Sequence, residues 1–176
     1  MAASDAQLIR ALLRGTQSPA AERTAERTMT VAERFDTFLA NLLLTAEQVS
    51  DGDTKHRGVR RCLNRHYYGQ PSETGNSLLV GSWGKDTTIR PPLDIDVLFE
   101  LPASVYHRFE TRPGNKQSQL LQEVKSVLLG TYPGTDMRGD GQVVVVPFAS
   151  YALEVVPAFL LTDGQYWICD TNGGGR

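Results

Sequence analysis

Residues 81–99 read GSWGKDTTIRPPLDIDVLF, and this stretch carries the strongest indication of the fold. It follows a short apolar run predicted to be a strand, residues 77–80, and its end runs into a second predicted strand, residues 95–101. Successive side chains on a strand point to opposite faces, so Asp94 and Asp96 point to the same side. Two such carboxylates repel each other unless a cation lies between them. The pattern predicts a metal site, and Mg²⁺ is the first candidate because it prefers oxygen ligands.

The loop before the two aspartates has the composition of a phosphate-binding turn. Gly81 permits close approach of the backbone to a ligand, and Ser82 offers a hydroxyl and a main-chain N–H at a predicted helix start. Alone, a Gly-Ser pair is merely a turn, and a lone Asp-x-Asp is more often a solvated strand face. Their combination over a short stretch favours a site that binds both a metal and a phosphate.

A third carboxylate lies in a later apolar run. Residues 151–159 read YALEVVPAF, and Glu154 is the one charged residue among them. A charge in such a strand is costly unless it is paired or binds a metal. A salt bridge or an exposed edge position is the alternative explanation, but the two upstream aspartates favour a shared metal site.

Hydrophobic periodicity places these motifs in an α+β chain. Thr30 and Glu33 form a capping-box pattern before a predicted amphipathic helix, and a second helical stretch follows an Asp-Gly-Asp sequence at 51–53 that interrupts or kinks it. The predicted order is two helices, a strand, a short helix, a strand, a helix and two strands. The last helix is predicted at residues 118–129, the last two strands at 142–148 and 151–160, and a further strand at 166–169.

Composition bounds the class of protein. The chain has 176 residues, of which 40% are hydrophobic, enough for one core. A formal charge of −2 predicts no stable nucleic-acid binding, and the basic stripe of Arg57, Arg61 and Arg65 is interpreted as a solvated helix face. No apolar run approaches the roughly 20 residues that cross a bilayer, so no membrane partner is predicted. Two cysteines without metal-ligand spacing favour a cytoplasmic location.

The motifs together resemble those of the polymerase-β nucleotidyltransferase superfamily. The resemblance rests on Gly81-Ser82, the Asp94-Ile95-Asp96 strand and the strand that carries Glu154. Within that superfamily, residues 81–87, 94–96 and 154–158 resemble the bacterial relatives of cyclic GMP-AMP synthase and oligoadenylate synthase, which make signalling nucleotides in antiphage defence. The resemblance covers roughly residues 31–176.

This resemblance implies a fold: a polymerase-β-like nucleotidyltransferase core, with a mixed or antiparallel sheet, flanking helices and a long N-terminal helical spine. Residues 1–29 are predicted to be a flexible arm, and residues 30–176 the catalytic domain. The family's C-terminal helical domain is expected to lie outside this chain.

The resemblance also implies an activity, the joining of nucleoside triphosphates into a cyclic oligonucleotide second messenger. Asp94, Asp96 and Glu154 would be catalytic and hold two Mg²⁺ or Mn²⁺ ions, and Gly81 and Ser82 would bind the nucleotide phosphates. ATP is the expected substrate, with GTP, CTP and UTP as further candidates, and a protein activator is a candidate partner. The alternatives are transfer of a single nucleotide to an antibiotic, a protein or an RNA end, and a non-catalytic nucleotide-binding domain.

Two positions depart from the family pattern. Glu154 stands where aspartate is commoner, and Asp86 stands at a position often held by glycine. Neither change removes a metal ligand. Because glutamate is one methylene longer, coordination by Glu154 requires a small offset of the backbone.

Overall fold

A computed structural model describes residues 29–172 of the chain, so the predicted arm at residues 1–29 lies outside the described residues apart from Met29. The helices are α1 (Val31–Leu42), α2 (Ala46–Tyr68), α3 (Gly81–Gly84), α4 (Ala103–Glu110) and α5 (Lys116–Leu129). The strands are β1 (Ser77–Leu79), β2 (Asp94–Glu100), β3 (Arg138–Asp140), β4 (Val143–Pro147), β5 (Ala152–Leu160) and β6 (Tyr166–Ile168). The predicted α+β class is confirmed.

The N-terminal helices begin at two capping boxes. The Thr30 hydroxyl accepts a hydrogen bond from the Glu33 amide, and the Glu33 carboxylate accepts one from the Thr30 amide. Thr45 and Gln48 repeat this arrangement at the start of α2. The helical break therefore lies between α1 and α2, and α2 runs without interruption through the Asp-Gly-Asp sequence at 51–53.

The chain divides into two compact units, with the boundary between Phe38 and Leu39. In the first unit, Val31, Phe35 and Phe38 have exposed side chains. The second unit holds the sheet, the other helices and all the residues predicted to form the site.

The strands form one mixed sheet in the order β1-β2-β5-β4-β3, with β6 also paired to β5. β2 and β5 run parallel, while the remaining pairs are antiparallel. A parallel pair needs a crossover connection, and here α4, α5, β3 and β4 lie between the two strands along the chain. The central strand pair of the sheet, β2 with β5, therefore also joins the two paired strands that lie farthest apart in the sequence.

One face of this sheet is packed and the other carries the polar residues. On β2 and β5 the inward side chains Ile95, Val97, Leu153 and Val155 are at most 1% exposed, and that of Phe159 is 5% exposed. They pack against Val59 and Leu63 of α2 and against the apolar side of α5. Alternate residues of the same strands are half-buried on the opposite face. The helices thus cover one face and leave the other for ligands.

Two elements were not predicted from sequence. The first is α4, which is short and packs only Val105 and Phe109 into the core. The second is β3, whose three residues are all exposed and which pairs with β4 through a turn at Gly141, where φ is +58°. Short elements with few apolar residues give little periodicity, so hydrophobic periodicity indicates neither of them.

Candidate active site

The three predicted metal ligands lie on one face of two neighbouring strands. In the parallel register of β2 and β5, Asp96 is paired with Glu154 and Asp94 with Ala152. Paired residues on neighbouring strands project their side chains to the same face, and residues two apart on a strand do so as well. The fold therefore brings together carboxylates that lie 58 positions apart in the sequence, since 154 − 96 = 58.

These carboxylates share one electrostatic environment. Partial burial raises the pKa of Asp96, and the neighbouring charge of Asp94 raises it further. The pKa of Glu154 is also raised, first by burial and then by the charges of Asp96 and Asp94. Burial and mutual repulsion thus disfavour the charged forms of both groups, and a divalent cation placed among them would relieve both costs.

The side chains do not form a closed metal cage as they stand. Among residues 29–172 no three His, Cys, Asp or Glu side chains are grouped closely enough to hold an ion. The donor set is nevertheless suited to Mg²⁺, because it consists of carboxylate oxygens on strands about 4.8 Å apart. Asp94, Asp96 and Glu154 share one face of two paired strands, so the chemistry of the residues present fits the group that the fold implies.

The predicted phosphate loop is attached directly to the carboxylate strand. The Val80 amide donates a hydrogen bond of 3.0 Å to the carbonyl oxygen of Asp96, which places Gly81 beside that aspartate. Gly81 has a φ of +58°, and a Cβ built on it would lie 1.9 Å from Oδ2 of Asp96. Only glycine meets both requirements, the left-handed backbone and the close approach of the carboxylate.

Ser82 lies in the short helix α3, and the loop that follows this helix folds back onto it. The Ser82 carbonyl oxygen accepts a hydrogen bond of 2.9 Å from the Thr87 amide, and its hydroxyl oxygen accepts one of 3.1 Å from Thr88. Asp86 in this loop has a φ of +54°, a backbone conformation that glycine adopts freely and aspartate tolerates. The departure from the family pattern at Asp86 therefore preserves the loop conformation.

The aromatic residues near the loop serve in packing. Trp83 and Tyr151 have ring centroids 6.0 Å apart, and the Tyr151 hydroxyl donates to the carbonyl oxygen of Gln48 in α2. A Cβ on Gly52 would lie 2.5 Å from Cη2 of Trp83, so α2 needs a glycine where the indole approaches it. These contacts fix the loop against α2.

Sequence reasoning did not single out two charged residues near the site, Arg138 and Asp140. Successive register pairs connect Arg138 to Val145, Val145 to Glu154, and Glu154 to Asp96. This transverse row places Arg138 on the carboxylate face. The Asp140-Gly141 dipeptide before four valines is the hairpin signal from which β3 could have been found.

Residues 29–175 match the family model described as the Second Messenger Oligonucleotide or Dinucleotide Synthetase domain. The chain belongs to this family. The synthetase domain thus covers all the described elements, from α1 to β6. No curated protein was found to match the chain.

Several solved structures are similar to this chain in fold. CdnC of E. coli MS115-1 in complex with HORMA-deltaN has a TM-score of 0.56 at 17% identity, covering 77% of this chain and 43% of that chain. The CD-NTase CdnG of Bradyrhizobium diazoefficiens in complex with GTP has a TM-score of 0.53 at 16% identity, covering 77% and 39%. CdnC of E. coli MS115-1 with ATP gives 0.55 at 18%, covering 78% and 44%. The chain spans less than half the length of these proteins, and the likeness shows the polymerase-β-like nucleotidyltransferase fold.

Proposed function

We propose that the protein is a Mg²⁺- or Mn²⁺-dependent nucleotidyltransferase that joins nucleoside triphosphates into a cyclic oligonucleotide second messenger for antiphage signalling. The observation that carries this proposal is the register that pairs Asp96 with Glu154, with Asp94 on the same face. Membership of the synthetase family supports the class of product. ATP is the first candidate substrate, with GTP, CTP and UTP as further candidates.

In this proposal the three carboxylates would hold two metal ions. Asp94 and Asp96 would hold the ion on the triphosphate side, and together with Glu154 they would hold the second. The ions would neutralise the developing charge and activate the attacking ribose hydroxyl. The raised pKa values of Asp96 and Glu154 support this assignment, because the two groups lie in an environment that favours a cation.

The protein residues position the substrates for in-line transfer. A ribose hydroxyl oxygen bonds to the α-phosphorus of a second nucleotide as the bond from that phosphorus to the bridging oxygen breaks, and pyrophosphate leaves. In this proposal the Ser82 hydroxyl and the backbone at Gly81 bind the phosphates that leave as pyrophosphate. The hydrogen bond from the Val80 amide to the Asp96 carbonyl oxygen keeps this loop beside Asp96. Positioning and charge neutralisation supply most of the rate enhancement in such reactions.

The proposal extends to partners and location. The CdnC structure in complex with HORMA-deltaN supports a protein activator as a candidate partner here. A helical second domain would complete the cleft in which such sites commonly lie. None of the helices among residues 29–172 has the length and hydropathy to span a membrane. We place the synthesis in the cytoplasm, where nucleoside triphosphates are present.

Product analysis tests the proposed function. The protein is incubated with labelled ATP, GTP, CTP and UTP and Mg²⁺ or Mn²⁺, then with phosphatase, and products are identified by chromatography and mass spectrometry. The expected result is a phosphatase-resistant linked nucleotide whose mass lacks terminal phosphates and one water. Nucleotide attached instead to an added antibiotic, protein or RNA would favour single transfer. Absence of product together with absence of triphosphate binding would contradict the proposal.

A further inference from the structure

One arginine on the carboxylate face is not used by the fold. Arg138 makes no side-chain hydrogen bond or ion pair with any residue between 29 and 172. Among the described residues of the second unit, Arg65 on α2 also has no such partner, whereas Arg57 pairs with Asp53, Arg61 with Glu73 and Arg108 with Glu123. The charge of Arg138 is therefore available to a ligand.

The position of Arg138 relates it to the carboxylates. Two strand steps of about 4.8 Å each separate it from Glu154, and the buried side chain of Val145 lies between them in the transverse row. The two charges are too far apart for an ion pair, but both lie on the same face of the sheet. An anion bound over Val145 would lie close to both the arginine and the metal ligands.

The order of the strands separates two sides of the site. Gly81 and Ser82 follow β1 at one end of the row, whereas Arg138 lies on β3 at the other end, with β2, β5 and β4 between them. If the triphosphate of the nucleotide under attack lies on the Gly81 side, the nucleotide that attacks approaches the carboxylates from the β3 side. That acceptor is itself a triphosphate, and it needs a cation on this side.

We propose that Arg138 binds a phosphate of the acceptor nucleoside triphosphate and thereby makes this face select acceptors that carry phosphate. The inference rests on the proposed nucleotidyl transfer and assigns the second substrate of the same site. Guanidinium suits this role because its fixed donors match phosphate oxygens. Asp140, two residues along on the same face, limits the positive charge and so weakens the acceptor site.

Analogues that can act on only one side separate the two substrates. A 2′,3′-dideoxynucleoside triphosphate has no attacking hydroxyl and is only a donor, while an α,β-methylene triphosphate cannot lose pyrophosphate and is only an acceptor. Formation of the mixed linear dinucleotide is followed as each is varied in turn. Arg138→Gln is expected to raise the KM for the acceptor about tenfold or more and to leave the KM for the donor unchanged. Asp140→Asn is expected to lower the KM for the acceptor, because it removes a nearby negative charge.

The matched control is Arg65→Gln, which removes an exposed arginine from α2, the helix that packs on the opposite face of the sheet. It should change neither KM. A nucleoside without phosphates, offered as the acceptor, gives a second control. Arg138 has no phosphate to bind in this acceptor, so Arg138→Gln should not change the rate at which it is used. An unchanged acceptor KM in Arg138→Gln, with product formed by the unmodified protein, overturns the inference while leaving the proposed function intact.

Equilibrium binding decides the inference if no turnover is observed. The unmodified protein is expected to bind two α,β-methylene triphosphates per chain in Mg²⁺, and Arg138→Gln to lose the second at the same concentrations. Equal stoichiometry in both proteins, whether one or two, overturns the assignment of Arg138.

Discussion

At the scale of single residues, the proposed chemistry depends on the two neighbours of the Asp96 carboxylate, Gly81 and Glu154. The Asp96 carboxylate lies against Gly81 on one side and is paired in register with Glu154 on the other. Any side chain at position 81 would therefore disturb the group that both proposed metal ions share. The predictions at this scale separate loss of chemistry from loss of fold.

Replacement of both aspartates should remove turnover and spare the fold. In Asp94→Asn with Asp96→Asn, the like-charge repulsion that raises the pKa of Asp96 disappears, so the free energy of unfolding should stay the same or rise. Turnover should fall on the order of a thousandfold or more, because the metal ligands are lost. Urea unfolding and product formation measure the two effects, and undiminished turnover would contradict the assignment of these ligands.

Gly81→Ala should damage the site more than it damages the fold. The new Cβ would lie 1.9 Å from Oδ2 of Asp96, so the carboxylate must move. Gly164→Ala is the matched control, since Gly164 also has a positive φ, +83°, but a Cβ there meets nothing within 4 Å. Both variants should lose about 1 kcal/mol of stability from backbone strain, and only Gly81→Ala should lose turnover. Equal turnover in the two would show that the contact with Asp96 is unimportant.

At the scale of elements, α2 both supports the sheet and fixes the loop that follows β1. Its residues Val59 and Leu63 are fully buried in the core, and Gly52 accepts the Trp83 ring. A helix glycine normally costs about 1 kcal/mol relative to alanine, which the close packing of the indole offsets.

Gly52→Ala should destabilise the protein although alanine favours the helix. The Cβ would lie 2.5 Å from Cη2 of Trp83 and 3.1 Å from Cδ1 of Ile95, and both atoms belong to packed side chains. We expect a loss of about 1–3 kcal/mol in the free energy of unfolding. Gly58→Ala is the comparison in the same helix, because its Cβ would lie 2.6 Å from the hydroxyl oxygen of the half-buried Tyr132 but close to no packed core atom. Urea unfolding should give Gly58→Ala a smaller loss than Gly52→Ala, and a stabilised Gly52→Ala would be inconsistent with this packing.

The contact between α2 and β1 should weaken in acid. His56 is 3% exposed, and its ring is hydrogen-bonded to the Ser77 hydroxyl. Burial lowers the pKa of His56 from 6.5 to about 4. The positive charge of Arg60 contributes to this lowering, and the negative charge of Asp53 opposes it. Because the folded state disfavours the protonated ring, the stabilisation is complete above pH 6.5 and is lost as the pH falls toward 4. The loss is roughly 2–3 kcal/mol.

Unfolding measured from pH 7 to pH 4 tests this prediction when the protein is compared with His56→Gln. Glutamine keeps a hydrogen-bonding group near Ser77 but does not titrate in this range. The stability difference between the two proteins should therefore shrink as the pH falls. A difference that stays constant over the range would refute the role of His56.

At the scale of the whole molecule, the site depends on the pairing of distant segments. The sequence was sufficient to predict the strands that carry Asp94, Asp96 and Glu154, because alternation and β-branched residues are local signals. It was insufficient to predict that β2 pairs with β5 in parallel, since register depends on contacts between segments far apart in the chain. Arg138 was missed for the same reason, because its relation to the site exists only through two intervening strands.

Binding of metal and triphosphate should stabilise the whole second unit. A ligand that binds only the folded state at a hundred times its Kd contributes about 2.7 kcal/mol, which corresponds to a rise in Tm of roughly 5–10 °C for a protein of this size. The rise should require Mg²⁺ and triphosphate together and should vanish when Asp94 and Asp96 are both replaced by asparagine. A rise of the same size in that variant would mean that the nucleotide binds elsewhere.

The parallel pairing of β2 with β5 has a consequence for the protein during its synthesis. A nascent chain that has emerged only as far as Ser150 carries the Gly81 loop and both aspartates but not the third carboxylate. Under the proposed chemistry, such an incomplete polypeptide cannot release a signalling nucleotide. Contacts of this sequence separation form slowly, so the appearance of activity would report completed folding of the sheet. The signalling nucleotide would thus be made only by molecules in which β2 and β5 have already paired.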